Sequence, residues 1–137
     1  MFYEIVIKVN RMQENGKEKE VIEKYITDCE FFSEAEEKGM KVYSDYSLKG
    51  DVVGIKRSNV YEIVNEPSIN VEKLFKAKIV SIFVDDSGKE KEQPYHVLVW
   101  ASDMNDANKK MNDYMRQGMQ DLLFKEVKET KFLDILK

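Results

Sequence analysis

The sequence predicts an α+β fold made of two tandem β-β-α-β repeats, with a mainly antiparallel sheet, two helices and a pseudo-two-fold relation between the copies. Three observations predict it. The run Gly16-Lys17-Glu18-Lys19-Glu20 returns 72 residues later as Gly88-Lys89-Glu90-Lys91-Glu92. Each run lies between stretches whose apolar residues recur with period two, the mark of a half-buried strand. After each return strand the period lengthens to that of a helix.

Residues 2–13 place Tyr3, Ile5, Ile7 and Val9 on one face of a strand, alternating with Glu4, Lys8 and Asn10. Asn15-Gly16 tolerates positive φ at two successive positions, which is what a type I′ hairpin turn requires. Residues 18–29 return, with Val21, Ile22, Tyr25 and Ile26 as apolar content. Ser33-x-x-Glu36 has capping-box spacing, and Glu34, Glu36 and Glu37 suit the positive end of a helix dipole. The helix face reads Ala35, Gly39, Val42, Tyr43 and Tyr46. A helical glycine costs about 1 kcal/mol against alanine, so Gly39 signals close approach to the sheet. Asp51 to Val64 reads as a third strand, with a bulge or break near Ser58-Asn59.

The stretch from Asn65 to Asn70 is the only linker-like segment, too short for a flexible tether, so the halves are expected to pack together. Phe75, Ala77, Ile79 and Phe83 then line a strand, and Asp86-Ser87-Gly88 turns it. Residues 89–101 return with Tyr95, Val97 and Val99 on one side and Leu98 and Trp100 on the other, a strand buried on both faces near its end. Pro94 cannot donate to a ladder, which puts its segment at an edge or bulge. Asn105, or Asp103, caps a second helix whose face is Ala107, Met111, Tyr114, Met115, Gly118 and Leu122. Phe124 to Leu136 is the last strand. Superposed at an offset of 72, turn, cap and core face recur in phase, Ser33 falling on Asn105 and Cys29 on Ala101. The expectation is one domain over residues 1–137, with repeats at 1–65 and 73–137 and a connector at 66–72.

Composition narrows the function. The 137 residues are 42% apolar and 35% charged, which describes a folded chain with a heavily charged surface. No apolar run approaches the roughly 20 residues that span a bilayer, and the N-terminus lacks the pattern of a signal peptide. A single cysteine, Cys29, fits a reducing cytoplasm. The net charge of −4, with lysine and glutamate interspersed, shows no basic stripe of the kind that binds a nucleic-acid backbone.

The frame Phe-x-x-x-Ile near the start, Asn15-Gly16-Lys17, Tyr25 and Phe32-Ser33-Glu34-Ala35-Glu36 carries a resemblance, as do Val99-x-Ala101-x-Asp103 with Ala107, and Glu129-Thr130 with Asp134-Ile135-Leu136. Together they resemble a domain-of-unknown-function family of short proteins from gut Bacteroidetes and their phages and mobile elements. The resemblance covers almost the whole chain. It implies a phage or mobile-element origin and a (host) cytoplasmic setting, and no activity or catalytic motif comes with it.

Catalytic patterns are sparse. His96, the one histidine, sits in a strand with no nucleophile elbow nearby. One histidine and one cysteine do not make a zinc site. The glycines form no phosphate-cradling cluster. Asp85-Asp86 adjoins a turn, where aspartate serves local bonding. No cofactor and no metal are expected, and the chain is read as not an enzyme.

The expected function is that of a small accessory binding protein. It would bind a protein partner, or sequester a small ligand, at the inter-repeat or subunit interface. Self-association and a protein partner head the expected partners, with a small ligand next and no membrane. The alternative is single-stranded nucleic acid, for which strand aromatics could form a stacking platform. The candidate binding residues are Lys17, Lys19, Lys89 and Lys91 at the hairpin tips, with Tyr95, His96 and Trp100 on the return strand.

Overall fold

A computed structural model of the chain describes residues 1–68, 72–117 and 122–137. The elements are β1 (Phe2–Met12), β2 (Glu18–Asp28), α1 (Phe32–Ser44), β3 (Gly50–Arg57) and β4 (Val60–Ile63), followed by β5 (Lys73–Val84), β6 (Glu90–Ala101), α2 (Met104–Met115), β7 (Leu122–Glu129) and β8 (Phe132–Leu136). The fold is α+β, with the β-β-α-β pattern present twice in two mainly antiparallel sheets.

The third strand expected in each repeat is broken, at Ser58-Asn59 and at Thr130-Lys131, again 72 residues apart. At the breaks, Ser58 N–H donates to Phe2 O at 2.8 Å and Thr130 N–H to Leu74 O at 3.1 Å. The piece after each break leaves its own repeat. The sheet orders are β3-β1-β2-β8 and β4-β6-β5-β7. β8 joins β2 in parallel, and β4 joins β6 in parallel. Each repeat thus contributes its last strand to the sheet of the other. Two compact units result: Met1–Ser58 with Lys131–Lys137, and Asn59–Thr130.

In the first unit, β1 and β2 pair without interruption from Phe2–Asp28 to Met12–Glu18. The turn differs from the type I′ expected. Only Gly16 takes a positive φ, 79°, and its N–H donates to Gln13 O at 2.9 Å. This is a type I turn closed by a left-handed glycine. Asn15 keeps negative φ, and its Oδ1 accepts from Lys17 N–H at 3.0 Å, a local bond open to a short amide side chain. The core comprises Tyr3, Ile5, Ile7, Val9, Tyr25, Cys29 and Ala35, with Val42, Tyr43 and Val52 packed on it.

The capping box expected at Ser33-Glu36 is not formed. The N-cap is Phe31, which makes no side-chain cap bond, and Ser33 lies inside the first turn. The helix begins earlier because Phe32 packs edge-on against Tyr3, with ring centroids 6.5 Å apart. Tyr46, expected on the helix face, lies beyond the end of α1 and is exposed. Gly39 does mark close approach: a Cβ there would stand 2.9 Å from Ile5 Cγ2.

The second unit repeats the plan. Gly88 has φ 83° and donates to Asp85 O at 3.0 Å. Asp103, rather than Asn105, caps α2, its Oδ1 accepting from Asp106 N–H at 2.8 Å. The true caps, Phe31 and Asp103, are themselves 72 apart. Of the expected helix face, Ala107 and Met111 are buried, Tyr114 and Met115 pack beside them, Leu122 belongs to β7, and Gly118 lies outside the described residues. Val97 to Ala101 are all buried, so β6 is covered on both faces as its composition predicts. Pro94 opposes Val80 in the β5–β6 ladder and precedes the part of β6 that β4 pairs, so its segment is an edge on the β4 side.

Irregularities recur too. The β1–β3 register shifts between Val6 and Ile7, and β5–β7 between Lys78 and Ile79. A lysine identical in both halves extends from each helix to the same strand-end carbonyl: Lys38 Nζ to Asp28 O at 3.3 Å, Lys110 Nζ to Trp100 O at 2.9 Å.

Candidate functional site

The helix-side face of the second unit's sheet carries a cleft of about 330 Å³ lined by Tyr61, Ile79, Ser81, Tyr95, Val97, Tyr114 and Leu122. That volume is at the lower end of the roughly 300–1,000 Å³ range of small-molecule sites.

Each wall has a local cause. Ile79 and Ser81 are two apart on β5, Tyr95 and Val97 two apart on β6, and side chains two apart share a face. Tyr95 pairs across the ladder with Ile79. Tyr61 owes its place to an irregularity: Val60 opposes His96 and Glu62 opposes Val97, so Tyr61 is the extra residue of a bulge. Its ring meets that of Tyr95 edge-on, with centroids 5.5 Å apart. Tyr114, from the last turn of α2, donates its hydroxyl proton to the Glu62 carboxylate. The floor is Ile79 and Val97, both buried, with Leu122 beside them and the Ser81 hydroxyl as its polar point.

The first unit offers a control. At the 72-residue offset the lining positions become Leu133, Ile7, Val9, Glu23, Tyr25, Val42 and Gly50. The bulge is preserved, for Lys24 opposes Phe132 and Tyr25 opposes Asp134, leaving Leu133 as the extra residue. There the side chain at the Val97 position is the buried phenol of Tyr25, 7% exposed. Its hydroxyl donates to Glu23 Oε1 at 3.0 Å, and Arg11 Nη2 holds the same oxygen at 2.9 Å. Burial, then the bond to Glu23, pushes the Tyr25 pKa up to about 12, so the ring stays neutral. Tyr43 lies over Gly50: a Cβ on that glycine would be 2.6 Å from Tyr43 Cγ. The first unit therefore fills this region with its own tyrosines.

The other sequence-predicted residues divide. Lys17 and Lys19 are exposed at the tip of the first unit. Lys89 and Lys91 are exposed at the tip of the second, with Lys91 Nζ 3.9 Å from Asp85. Asp85 organises that turn, accepting from Ser87 Oγ–H at 2.6 Å and Lys89 N–H at 2.9 Å, and the Ser87 bond leads in lowering its pKa. Tyr95 is in the cleft. His96 and Trp100 point to the opposite face of β6 by strand alternation. Trp100 is only 7% exposed. His96 has its pKa lowered by burial first, then by Lys76, Lys78 and Lys128. The cleft residues Tyr61, Ser81 and Leu122, with Glu62 behind them, carry no motif. Comparing the two halves position by position is the signal that exposes them: a ring is lost at 97 while rings appear at 61, 95 and 114.

A larger cleft of about 450 Å³ in the first unit is lined by Glu34, Glu37, Lys38, Lys41, Val42, Asp45, Leu136 and Lys137. Its walls are mainly long charged side chains of both signs, with Val42 and Leu136 as the apolar lining, in contrast to the uncharged lining of the second-unit cleft. Among the described residues, no three of His, Cys, Asp and Glu gather as metal ligands, and no helix is long and apolar enough to cross a membrane.

The family model described as domain of unknown function DUF4494 matches residues 1–137. The chain therefore belongs to that family. No curated protein matches it.

Proposed function

We propose that the protein is a non-catalytic binding protein that holds a small ligand in the tyrosine-lined cleft of its second unit. The observation that carries this reading is the cleft itself: Tyr61, Tyr95 and Tyr114 stand around buried Ile79 and Val97, where the first unit has Leu133, Glu23 and Val42 at the tyrosine positions and Tyr25 at the valine. Aromatic walls, an aliphatic floor and a few hydroxyls are what a ligand-orienting pocket needs. Phage or mobile-element origin and action in the host cytoplasm remain part of the proposal, on the strength of the sequence resemblance. Native mass spectrometry of the protein purified from its own cytoplasm tests it. A retained small molecule, lost in Val97→Tyr, is expected; a ligand-free protein whose thermal midpoint no member of a fragment library shifts would sink it.

A second reading, single-stranded nucleic acid, draws on Lys76, Lys78, Lys128 and His96, which lie close enough on the second sheet for the lysines to depress the His96 pKa. Backbone contacts strengthen as salt falls. A gel shift with single-stranded DNA that stays blank at low salt rejects it.

A further inference from the structure

We propose that the ligand of the second-unit cleft is an uncharged phenolic ring; this inference rests on the small-ligand reading above. The first unit serves as the molecule's own template. The two units share strand pairing, bulges, turn and cap positions at a fixed offset, so equivalent residues occupy equivalent environments. In the first unit a phenol, Tyr25, stands opposite Ile5 and shares one core with Ile7 and Val9. In the second, Ile79 is retained, the phenol is deleted to Val97, and the surrounding positions change in a concerted way. Leu133, Glu23 and Val42 have Tyr61, Tyr95 and Tyr114 as counterparts, and Val9 has Ser81.

Those exchanges specify a guest. Three rings at the rim and wall offer edge and face contacts that favour an aromatic over a saturated ring. The carboxylate that receives the Tyr25 hydroxyl in the first unit, Glu23, is replaced by Tyr95, so no charged side chain lines the cleft. A charged guest would lose its hydration without a counter-ion, whereas a neutral hydroxyl can donate to Ser81 Oγ or to the Tyr114 oxygen, whose own proton is committed to Glu62. The volume of about 330 Å³ accommodates more than one such ring. The phenol could belong to a free small molecule or to a tyrosine side chain on a peptide. The chemistry recognised is the same.

The test is a set of amide and methyl NMR titrations of the full chain with 4-methylphenol, 4-methylcyclohexanol and N-acetyltyrosinamide. The expected result is saturable shifts at Ile79, Val97 and Leu122 with 4-methylphenol, and about tenfold weaker binding of 4-methylcyclohexanol, the size of an aromatic-pair preference. Val97→Tyr should abolish the shifts while keeping a dispersed spectrum. N-acetyltyrosinamide binding more tightly than 4-methylphenol points to a peptide source, and weaker binding to a free phenol. Equal binding of the saturated alcohol overturns the phenolic assignment and leaves a small-ligand cleft standing. Absence of binding by every probe overturns the assignment, and together with a ligand-free native mass spectrum it removes the cleft's function as well.

Discussion

In the first unit a buried tyrosine, its hydroxyl donating to a Glu23 carboxylate that Arg11 also holds, stands opposite Ile5; in the second, valine takes that position opposite Ala77 and a cleft lies beside it. Between the same two units, the helix–sheet contact shows the opposite kind of difference. Ile5 against Gly39 in the first becomes Ala77 against Met111 in the second. There a large residue on the strand and none on the helix has been exchanged for a small residue on the strand and a large one on the helix. Volume is conserved, and interiors must stay close-packed. At Tyr25/Val97 the lost ring is offset at other positions: Leu133, Glu23, Val42 and Gly50 have Tyr61, Tyr95, Tyr114 and Leu122 as counterparts, and the cleft lies among them. A duplicated core that exchanges volume between two facing residues in one place and moves its rings to the rim of a cleft in another has changed what it encloses at the second place. That contrast makes the cleft a candidate for function rather than a packing fault.

The largest expected effect comes from separating the repeats. Residues 1–65 alone retain β4 without β6 and β2 without β8. They should be unfolded, or should dimerise with β4 of each copy beside β2 of the other. Sedimentation and circular dichroism decide, and a folded monomer would break the strand-exchange account. Next is the compensated contact. Met111→Ala should cost ~2–5 kcal/mol in urea unfolding, as deletion of a buried side chain does. In the first unit, Gly39→Met should cost ~1–3 kcal/mol by overpacking Ile5, and combining it with Ile5→Ala should recover part of that loss. Additive losses would show that the two units do not share this packing logic.

The caps give a smaller contrast. Asp103→Ala should cost ~0.5–2 kcal/mol. Phe31→Asp, at the uncapped equivalent, should cost far less, because a gained cap opposes any lost aromatic packing. The smallest effect is in pH. Tyr25 has a folded pKa of about 12 against the ordinary 10.0. A raised folded pKa means its contribution is complete below pH 10 and is lost as pH climbs through 12. Tyr25→Phe should flatten that part of the stability profile, and an unchanged alkaline slope would contradict the burial of this phenol.

Much of the fold was legible because strand alternation, turn glycines and helix period are local signals, and all were written twice. Cys29 and Ala101, which coincide at the offset of 72, are both small and buried. The turn type, the α1 cap and the strand exchange were not legible. Asn15-Gly16 suits two turn types, and the choice rests on bonds from Gln13 and Lys17. Ser33-Glu36 has the spacing of a cap, yet the packing of Phe32 on Tyr3 moves the start of the helix. The break at Ser58-Asn59 was visible, but nothing local says that the next four residues join a sheet made by the other repeat. In the cleft, Tyr95 was anticipated as an aromatic on a strand. Tyr61 and Ser81 were not, because a bulge and a valine-to-serine difference gain meaning only when the two units are compared.

The central claim is that the cleft beside Val97 has room for the ring that Tyr25 carries in the first unit. Urea unfolding of Val97→Tyr tests it most directly, since it needs no ligand. A vacant cleft predicts stability within ~0.5 kcal/mol of the parent, or above it, because the new ring meets open space bordered by rings and burial of apolar area is favourable. A loss of about 1–3 kcal/mol, the usual consequence of forcing a larger side chain into a filled core, would contradict it.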